Sequence, residues 1–571
     1  MPKAVAYANN DVVLIAWSYP EKIANCLGFA VYRAESSAQP AERSLVQAAN
    51  SWEPLPAWVG FQGETNPNHD HKTTEIWPIQ KFSWKDVTAK RGATYKYRIV
   101  PMLGAASSLN ADTANALETE EVSLRPDHGS ISAYFNRGIL STQFVARQLP
   151  STSSGAPSSA ALKDRIDQPG DPLREALAGQ MLEALQLLLN RAEKENGHCY
   201  LALYELNDPE MVAKLTGNSH ISIILSNTGP DDATDSAARA ALHDSGVDIQ
   251  DRFVPNGHIG HNKFVVYVDS QNNPKAVQTG STNWSDTGIC AQSNNTIIVE
   301  SEELASFYFD YWNRLKAQGN EQDKSFRAEN NAPRTATVDG KEITLWFSPN
   351  TQATTKTRTS ATPADMAMVF DLIDQAQQGI LFLLFQPGSP SVADEIEKIA
   401  QAKPNLFVRG AATDPKVAGE FDQIDLHHRG SQPPDTVVPA TEVKDQFSFW
   451  EKEILKTSGA HAIIHDKIVV IDPFSDNSIV CTGSHNDGYR ASYMNDENLL
   501  IIRGNRELAQ AYAAHCWDVY DHYRWRYVLS KQGEAAFSGL STNDSWQDKY
   551  FADQEIKTEI EFFTGALSQP E

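Results

Sequence analysis

Two short motifs of histidine and lysine are the residues in this sequence whose types and spacing point most directly to chemistry. His261 and Lys263 form the first pair, and His465 and Lys467 form the second. On a β-strand, side chains two residues apart point to the same face, so each histidine would project beside its lysine. Histidine exchanges protons near neutral pH and lysine supplies positive charge, a combination that suits reactions of anionic substrates.

A Gly-Ser-x-Asn segment follows each motif, at residues 280–283 and 483–486. During hydrolysis of a phosphodiester, negative charge builds on the equatorial oxygens, so cations and hydrogen-bond donors around phosphorus lower the barrier. The two lysines would supply the charge, and the glycines would allow close backbone approach. The side chains expected to donate hydrogen bonds to the same oxygens are Ser281, Asn283, Ser484 and Asn486.

The segments that must position these residues also occur twice. Equivalent residues of the two copies, such as His261 and His465, are separated by about 204 positions. In the first copy, helical periodicity over residues 172–195 precedes an apolar β-type run at 199–204, and a similar run occurs in the second copy at 380–385. An internal duplication that forms two α/β halves explains this order.

The two motifs and their Gly-Ser-x-Asn segments together resemble the phospholipase D superfamily, whose duplicated motif is His-x-Lys-x4-Asp. The second copy matches fully and ends at Asp472. In the first copy Val268 occupies the acid position, and Asp269 follows one residue later. The resemblance implies that Asp472 and Asp269 support the catalytic residues.

The same resemblance implies a mechanism with neither a metal nor a cofactor. One imidazole attacks phosphorus to form a phosphohistidine, and the other protonates the leaving oxygen and then activates water. By resemblance His261 is the nucleophile and His465 the acid and base, whereas the residues alone leave these roles interchangeable. Glu497 is placed as the family's supporting acid, with Asn294 at the matching position of the first half. Because an amide stabilises imidazolium less than a carboxylate does, the two histidines should differ.

Residues 1–124 show a different pattern, with short β-type runs in which apolar residues alternate. Trp17 lies on an early run, and Tyr95, Tyr97 and Ile99 alternate on a later one. This pattern resembles a fibronectin type III or related immunoglobulin-like sandwich. The sequence therefore predicts a multidomain chain, with an all-β sandwich at 1–124 and two phospholipase D-like α/β halves, related by pseudo-twofold symmetry, at 125–330 and 331–571.

Charge favours a lipid over a nucleic acid as the substrate. The 571 residues include 49 Lys and Arg against 73 Asp and Glu, a formal net charge of −24 that repels polyanions. We therefore expect hydrolysis of phospholipid head groups or their transfer to an alcohol, with which peripheral membrane contact is compatible. A nuclease of the same superfamily is the alternative. A non-catalytic binding protein fits less well, since both copies keep the histidine and the lysine.

Other features of the sequence bear on compartment and metals. Five widely spaced cysteines without CxxC pairs indicate reduced core thiols. No signal peptide or transmembrane stretch is evident, which makes the cytoplasm the default location and export without a cleaved signal the alternative. The histidines at 69 and 71 and at 427–428 lack the ligand spacing of a known metal site. No sequence feature identifies a partner of the N-terminal domain.

Overall fold

The chain folds into two compact units. The computed structural model describes residues 1–36, 52–64, 66, 70–138, 159–227, 229, 233–356, 360–413, 437–439, 464–532 and 539–567. His69 and the histidines at 427–428 lie outside these residues. The first unit comprises Met1–Pro126, Gln377–Gly379 and Lys531–Glu571, and the second comprises Asp127–Ala376 and Ile380–Ser530.

The first unit begins with antiparallel β-sheets. A three-stranded sheet contains Lys3–Ala8, Val13–Ser18 and Ser83–Asp86. A larger sheet is built on the long pair Cys26–Ser36 and Thr94–Ala105, to which shorter strands add at Glu53–Pro54, Ser108–Ala111, Leu117–Glu118 and Val122–Ser123. Pro56–Ala57 and Lys72–Thr73 form a small ribbon.

Alternating residues of these strands build the core of the first unit. Val13, Ile15 and Trp17 point into it, as the two-residue period of a strand dictates, and they meet Phe29 and Tyr97. The all-β prediction for this region is confirmed. Its identity as a fibronectin type III or immunoglobulin-like domain stays a prediction.

The C-terminal segment belongs to the same unit. After a 3-10 turn at Asp544–Gln547, short helices follow at Asp548–Ala552 and Gln554–Thr564. The Trp546 ring lies 5.8 Å from that of Phe29, and its Nε1 donates to the carbonyl of Cys26. The sequence analysis predicts that all of 331–571 belongs to the second half, whereas Lys531–Glu571 belongs to the first unit. The prediction extends the α/β repeat to the end of the chain, because no local sequence pattern indicates what this segment packs against.

The second unit contains two eight-stranded sheets with the same strand order. In spatial order, the first sheet contains Asp127–His128, Ile131–Phe135, Asn295–Glu300, Pro274–Gly280, Lys263–Val268, His198–Leu203, Ile221–Ser226 and Asp248–Arg252. The second contains Arg334–Val338, Lys341–Ser348, Glu497–Arg503, Ile479–Gly483, Ile468–Ile471, Gly379–Leu384, Phe407–Ala412 and Val437–Pro439. The predicted α/β duplication therefore appears as two equivalent sheets, while pseudo-twofold symmetry stays a prediction.

Helices connect the strands of both sheets. The first half contains Ser159–Ile166, Pro172–Ala178, Met181–Glu195, Pro209–Leu215, Ser236–Asp244, Asp286–Cys290, Glu302–Gln318 and Lys324–Asn330. The second contains Ala364–Asp374, Val392–Ala402, Tyr489–Met494 and Arg506–Gln532. The helix predicted over 172–195 is interrupted at Gly179, whose φ of 61° lies in the left-handed region that glycine adopts without strain. None of the described helices is long and apolar enough to span a bilayer.

Each sheet holds one catalytic-motif strand near its centre. Lys263–Val268 is buried at every position and pairs antiparallel with Pro274–Gly280 and His198–Leu203. Ile468–Ile471 is likewise buried and lies between two antiparallel neighbours. A strand fixed on both sides holds the residues at its start in a defined position.

A buried asparagine of the second half ties the two sheets together. Asn498 donates from Nδ2 to Oδ1 of Asn262, at 3.1 Å. Its own Oδ1 accepts hydrogen bonds from Thr279 at 2.7 Å and from the Tyr308 hydroxyl at 2.9 Å. All three partners belong to the first half, so one amide spans the interface.

The first half contributes an equivalent bridge. Asn295 donates from Nδ2 to the hydroxyls of Thr482 and Tyr512, at 2.8 and 3.0 Å. A buried polar group left without a partner costs more free energy than a hydrogen bond contributes. These bridges therefore constrain how the two sheets pack against each other.

Replacing Asn498 by Ala should therefore destabilise the second unit. Unpaired Asn262 and Thr279 groups would cost about 2 kcal/mol, which for a unit of this size corresponds to a fall in melting temperature of roughly 2–3 °C. Differential scanning calorimetry measures this change. Asn313→Ala, at an exposed helix position, is the matched control and should leave the transition unchanged. Equal melting temperatures for Asn498→Ala and the wild type would contradict a bridging role.

Candidate active site

The structure brings the two His-x-Lys motifs to one place. The rings of His261 and His465 have centroids 6.5 Å apart, and all four motif side chains are at most 3% exposed. Each histidine lies two residues before its lysine, just ahead of the regular strand rather than within it. Each lysine ammonium turns back to the carbonyl of its own histidine, at 2.8 Å for Lys263 and 2.7 Å for Lys467. Two cations therefore flank two imidazoles.

Each imidazole is held by a side chain from the opposite half. Nδ1 of His261 lies 3.1 Å from Oε1 of Glu497, and Nδ1 of His465 lies 2.9 Å from Oδ1 of Asn294. The Glu497 carboxylate is itself fixed, because it accepts from the amide of Asn495 and from the backbone N–H of Asn486. Neither half alone contains a complete histidine pair with its partners.

The Asn294 amide also fixes the tautomer of His465. Its Nδ2 donates to the carbonyl of Gly288 at 2.8 Å, so the atom that faces the ring is the acceptor Oδ1. His465 must therefore carry a proton on Nδ1. Its Nε2 lies 3.3 Å from Nζ of Lys467, where it accepts a hydrogen bond.

Burial keeps both imidazoles neutral in the empty site. Burial, followed by the charge of Lys263, lowers the pKa of His261 to about 4, although Glu497 works in the opposite direction. The pKa of His465 is held well below its usual value by burial and then by Lys467 and Lys263. An amide, Asn294, faces His465 where the Glu497 carboxylate faces His261, so the two rings differ electrostatically.

Burial also shifts the pKa values of the two lysines and of Glu497. Burial lowers the pKa of Lys467 to about 8, and burial followed by the charge of Lys467 lowers that of Lys263. Burial alone would raise the pKa of Glu497, but His261 reverses the shift and brings it to about 2. A bound anion would stabilise both ammonium groups, which is the property required of a phosphate site.

The Gly-Ser-x-Asn segments divide into two roles. The Ser281 hydroxyl is fully buried and donates to Asn294 Oδ1 at 2.8 Å, and the Ser484 hydroxyl accepts from the backbone and side chain of Asn498. The Ser281 proton is thus directed to Asn294, which corrects the expected hydrogen bond of Ser281 to phosphate, whereas the Ser484 hydroxyl only accepts in these contacts and its donation to phosphate stays a prediction. The Asn283 side chain donates to the carboxylate of Glu205, and the backbone N–H of the half-buried Asn486 donates to Glu497.

The structure does not bring Asp269 and Asp472 to the histidines, which corrects their expected supporting role. Both follow the far ends of the motif strands, roughly 15–20 Å along the extended chain from the lysines. Asp269 accepts the backbone N–H groups of Gln271 and Asn273 and thus caps a turn. Asp472 has a φ of 49° in the corresponding turn. These residues shape the turns beyond the strands.

Two aromatic residues of the site were missed from the sequence. Tyr204 lies with its ring 4.9 Å from that of His261 and 5.0 Å from the Lys263 ammonium. Phe385 makes the same contacts with His465 and Lys467, at 4.8 and 5.1 Å. Each comes directly after the strand that pairs with a motif strand. Their position at the ends of the two repeated apolar runs was the available signal.

The second half matches a known family. Residues 369–519 match the family model described as cardiolipin synthase, PLD-like domain. The matched segment contains His465, Lys467 and Glu497, and it supports the phospholipase D superfamily for this half. No curated protein matches the chain.

Distant likenesses to solved structures cover different parts of the chain. The phosphatidylserine synthase of Haemophilus influenzae Rd KW20 is 12% identical, with a TM-score of 0.37, over 75% of this chain and 100% of that one. Nuc, a phospholipase D family member from Salmonella typhimurium, is 21% identical, with a TM-score of 0.20, over 24% of this chain and 88% of that one. The polyphosphate kinase of Porphyromonas gingivalis is 12% identical, with a TM-score of 0.35, over 56% of this chain and 42% of that one. The chain therefore spans less than half of that protein. All three likenesses are too weak to carry an argument about fold or substrate.

The different partners of the two histidines predict opposite responses to substitution. Glu497→Gln should lower the pKa of His261 further below about 4, because the compensating negative charge is lost. Asn294→Asp should raise the pKa of His465, because a carboxylate then faces its Nδ1–H. Histidine-selective NMR titration measures both, with His198 on a first-half strand as an internal control that should not change. A shift of either ring in the other direction would contradict the assigned contacts.

Proposed function

We propose that the protein is a phosphodiesterase that works through a phosphohistidine and acts on phospholipid head groups. The observation that carries this proposal is the pair of imidazoles 6.5 Å apart, each with a side chain of the opposite half next to its Nδ1 and each flanked by a buried lysine. Such a pair can attack a phosphorus atom from one side and protonate a leaving oxygen on the other.

In the first step, Nε2 of His261 attacks phosphorus while the bond from phosphorus to the head-group oxygen breaks. The bound phosphodiester anion raises the pKa of His465, which burial and the lysines lower in the empty site, so that the ring carries a proton on both nitrogens at this stage. His465 then gives its Nε2 proton to that oxygen. A phosphate on Nε2 makes the His261 ring cationic, and Glu497 next to Nδ1 stabilises that charge. The two lysines stabilise the equatorial oxygens. These roles assign His261 as the nucleophile, in line with the resemblance of its motif.

In the second step, water replaces the histidine. His465, now neutral, accepts a proton from water as the water oxygen attacks phosphorus, and the bond between phosphorus and His261 breaks. A primary alcohol that takes the place of water would yield a new phosphodiester.

Two observations support a lipid as the substrate. The net charge of −24 disfavours a polyanion, for which each added phosphate adds repulsion. The match of residues 369–519 to the PLD-like domain of cardiolipin synthase adds support from a family named for a phospholipid product.

The proposal predicts release of head group from detergent-dispersed phosphatidylethanolamine in the presence of EDTA, and formation of phosphatidylethanol when ethanol is added. Mass spectrometry of the lipid products measures both. His465→Ala should slow the reaction at least about 100-fold because the leaving oxygen is no longer protonated. His198→Ala, outside the site, is the matched control. Untouched lipids together with salt-sensitive cleavage of DNA or RNA would replace the lipid assignment with a nuclease.

A further inference from the structure

A buried ion pair joins the two halves on the His261 side of the site. Nε of Arg252 donates to Oδ2 of Asp496 at 2.7 Å, and Nη2 donates to Oδ1 at 3.2 Å. Arg252 is the last residue of a first-half strand, and Asp496 directly precedes Glu497 in the second half. Neither side of the pair is more than 1% exposed. Because the guanidinium group binds both carboxylate oxygens, the pair fixes orientation as well as distance.

Other groups of the first half hold both partners in place. Arg252 also donates from Nη1 to the carbonyl of Gly319 and from Nη2 to that of Glu321, the latter at 3.0 Å. Oδ1 of Asp496 accepts a further hydrogen bond from Nε2 of Gln322, at 2.8 Å. The residue that precedes Glu497 is therefore fixed by three donor groups of the opposite half.

A backbone hydrogen bond connects this ion pair to the nucleophile. The backbone N–H of Asp496 donates to the carbonyl of Ile259 at 2.9 Å. Ile259 lies two residues before His261, and Asp496 lies one residue before Glu497. The contact between Nδ1 of His261 and Oε1 of Glu497, at 3.1 Å, is thus formed by two segments that are already joined. A displacement of Asp496 would move the Glu497 carboxylate relative to the imidazole.

The other histidine is supported differently. Ser293 precedes Asn294 as Asp496 precedes Glu497. The hydroxyl of Ser293 donates one hydrogen bond, to Oδ2 of Asp466 at 2.6 Å. A neutral hydroxyl therefore occupies this position on the His465 side, where a bidentate ion pair occupies it on the His261 side.

We propose that the Arg252–Asp496 ion pair positions Glu497 against His261 and so sets the alignment of the attacking imidazole. This inference rests on the proposed function for the identity of the nucleophile. Arg252 and Asp496 are positioning residues, since they act through Glu497. A displacement of about 1 Å can slow a reaction roughly 100-fold. Formation of the phosphohistidine should therefore depend on this pair, whereas binding of an anion by the two lysines should not.

Replacing the whole pair tests its role without leaving a buried charge unpaired. The double variant Arg252→Met/Asp496→Leu puts apolar side chains in its place, a change that generally preserves stability. The burst of p-nitrophenol from a p-nitrophenyl phosphodiester, followed by rapid mixing, should slow at least about tenfold. Isothermal titration calorimetry should find the affinity for ethyl phosphate unchanged within about twofold. Arg503→Met is the matched control, because it removes an ion pair with Glu342 at the far end of the strand that Glu497 begins, and it should change neither quantity.

Two results of these assays would overturn the inference. One is a wild-type burst rate in the folded double variant, and the other is an equal loss of burst rate and ethyl phosphate affinity, which would indicate a purely structural role. If calorimetry shows that the double variant does not unfold cooperatively, Arg252→Lys decides. It keeps the charge but cannot bind both carboxylate oxygens, so its burst should be slower than that of the wild type, and an equal rate would contradict positioning.

Histidine-selective NMR titration separates this inference from the proposed function. Removing Arg252 and Asp496 together leaves the net charge unchanged, so a change at His261 reports the position of Glu497. The pKa of His261 should fall further below about 4, because Glu497, which raises it, is no longer held close. An unchanged pKa would overturn the inference whether or not the wild type forms a phosphohistidine. A lowered pKa in a protein whose wild type forms no phosphohistidine would refute the proposed function and leave the positioning of Glu497 intact.

Discussion

Cross-pairing of the two histidines is the constraint on which the rest of the second unit depends. His261 is held by Glu497 and His465 by Asn294, so each half completes the imidazole of the other. The partners follow from the sheets, since Asn294 precedes the strand Asn295–Glu300 and Glu497 begins Glu497–Arg503. The asparagine bridges beside them, Asn295 and Asn498, fix the sheets against one another. The arrangement of the two histidines and their partners therefore requires both halves.

Burial gives this arrangement its chemical character. In water, imidazoles and ammonium groups so close together would matter little to one another, because solvent screens them. Here all four motif side chains are nearly inaccessible, and the pKa of each basic group is lowered. An anion that enters the site stabilises the charged form of both lysines, which burial disfavours in the empty site. The same burial strengthens the electrostatic difference between a carboxylate behind one ring and an amide behind the other.

The sequence was most informative where the chemistry required particular residue types at a repeated spacing. His261, Lys263 and their counterparts could be predicted, the resemblance led to Glu497, and the common offset led from Glu497 to Asn294. Asp269 and Asp472 could not be placed correctly, since a motif written as a linear pattern does not reveal that a strand carries its last residue far from its first. Tyr204 and Phe385 were missed because an aromatic residue at the end of an apolar run has no distinctive spacing. The packing of Trp546 on the first unit depends on contacts distant in sequence, which no local pattern encodes.

A covalent phosphate on His261 is the central expectation, and one trapping experiment tests it most directly. A p-nitrophenyl phosphodiester needs no acid for its leaving group, so the His465→Ala variant should complete the first step and stall before water attack. Alkaline quenching, which preserves phosphohistidine, followed by peptide mass spectrometry should find the adduct on His261. An adduct on any other residue of this variant, or p-nitrophenol released over many turnovers without any adduct, would contradict the proposed roles of the two histidines.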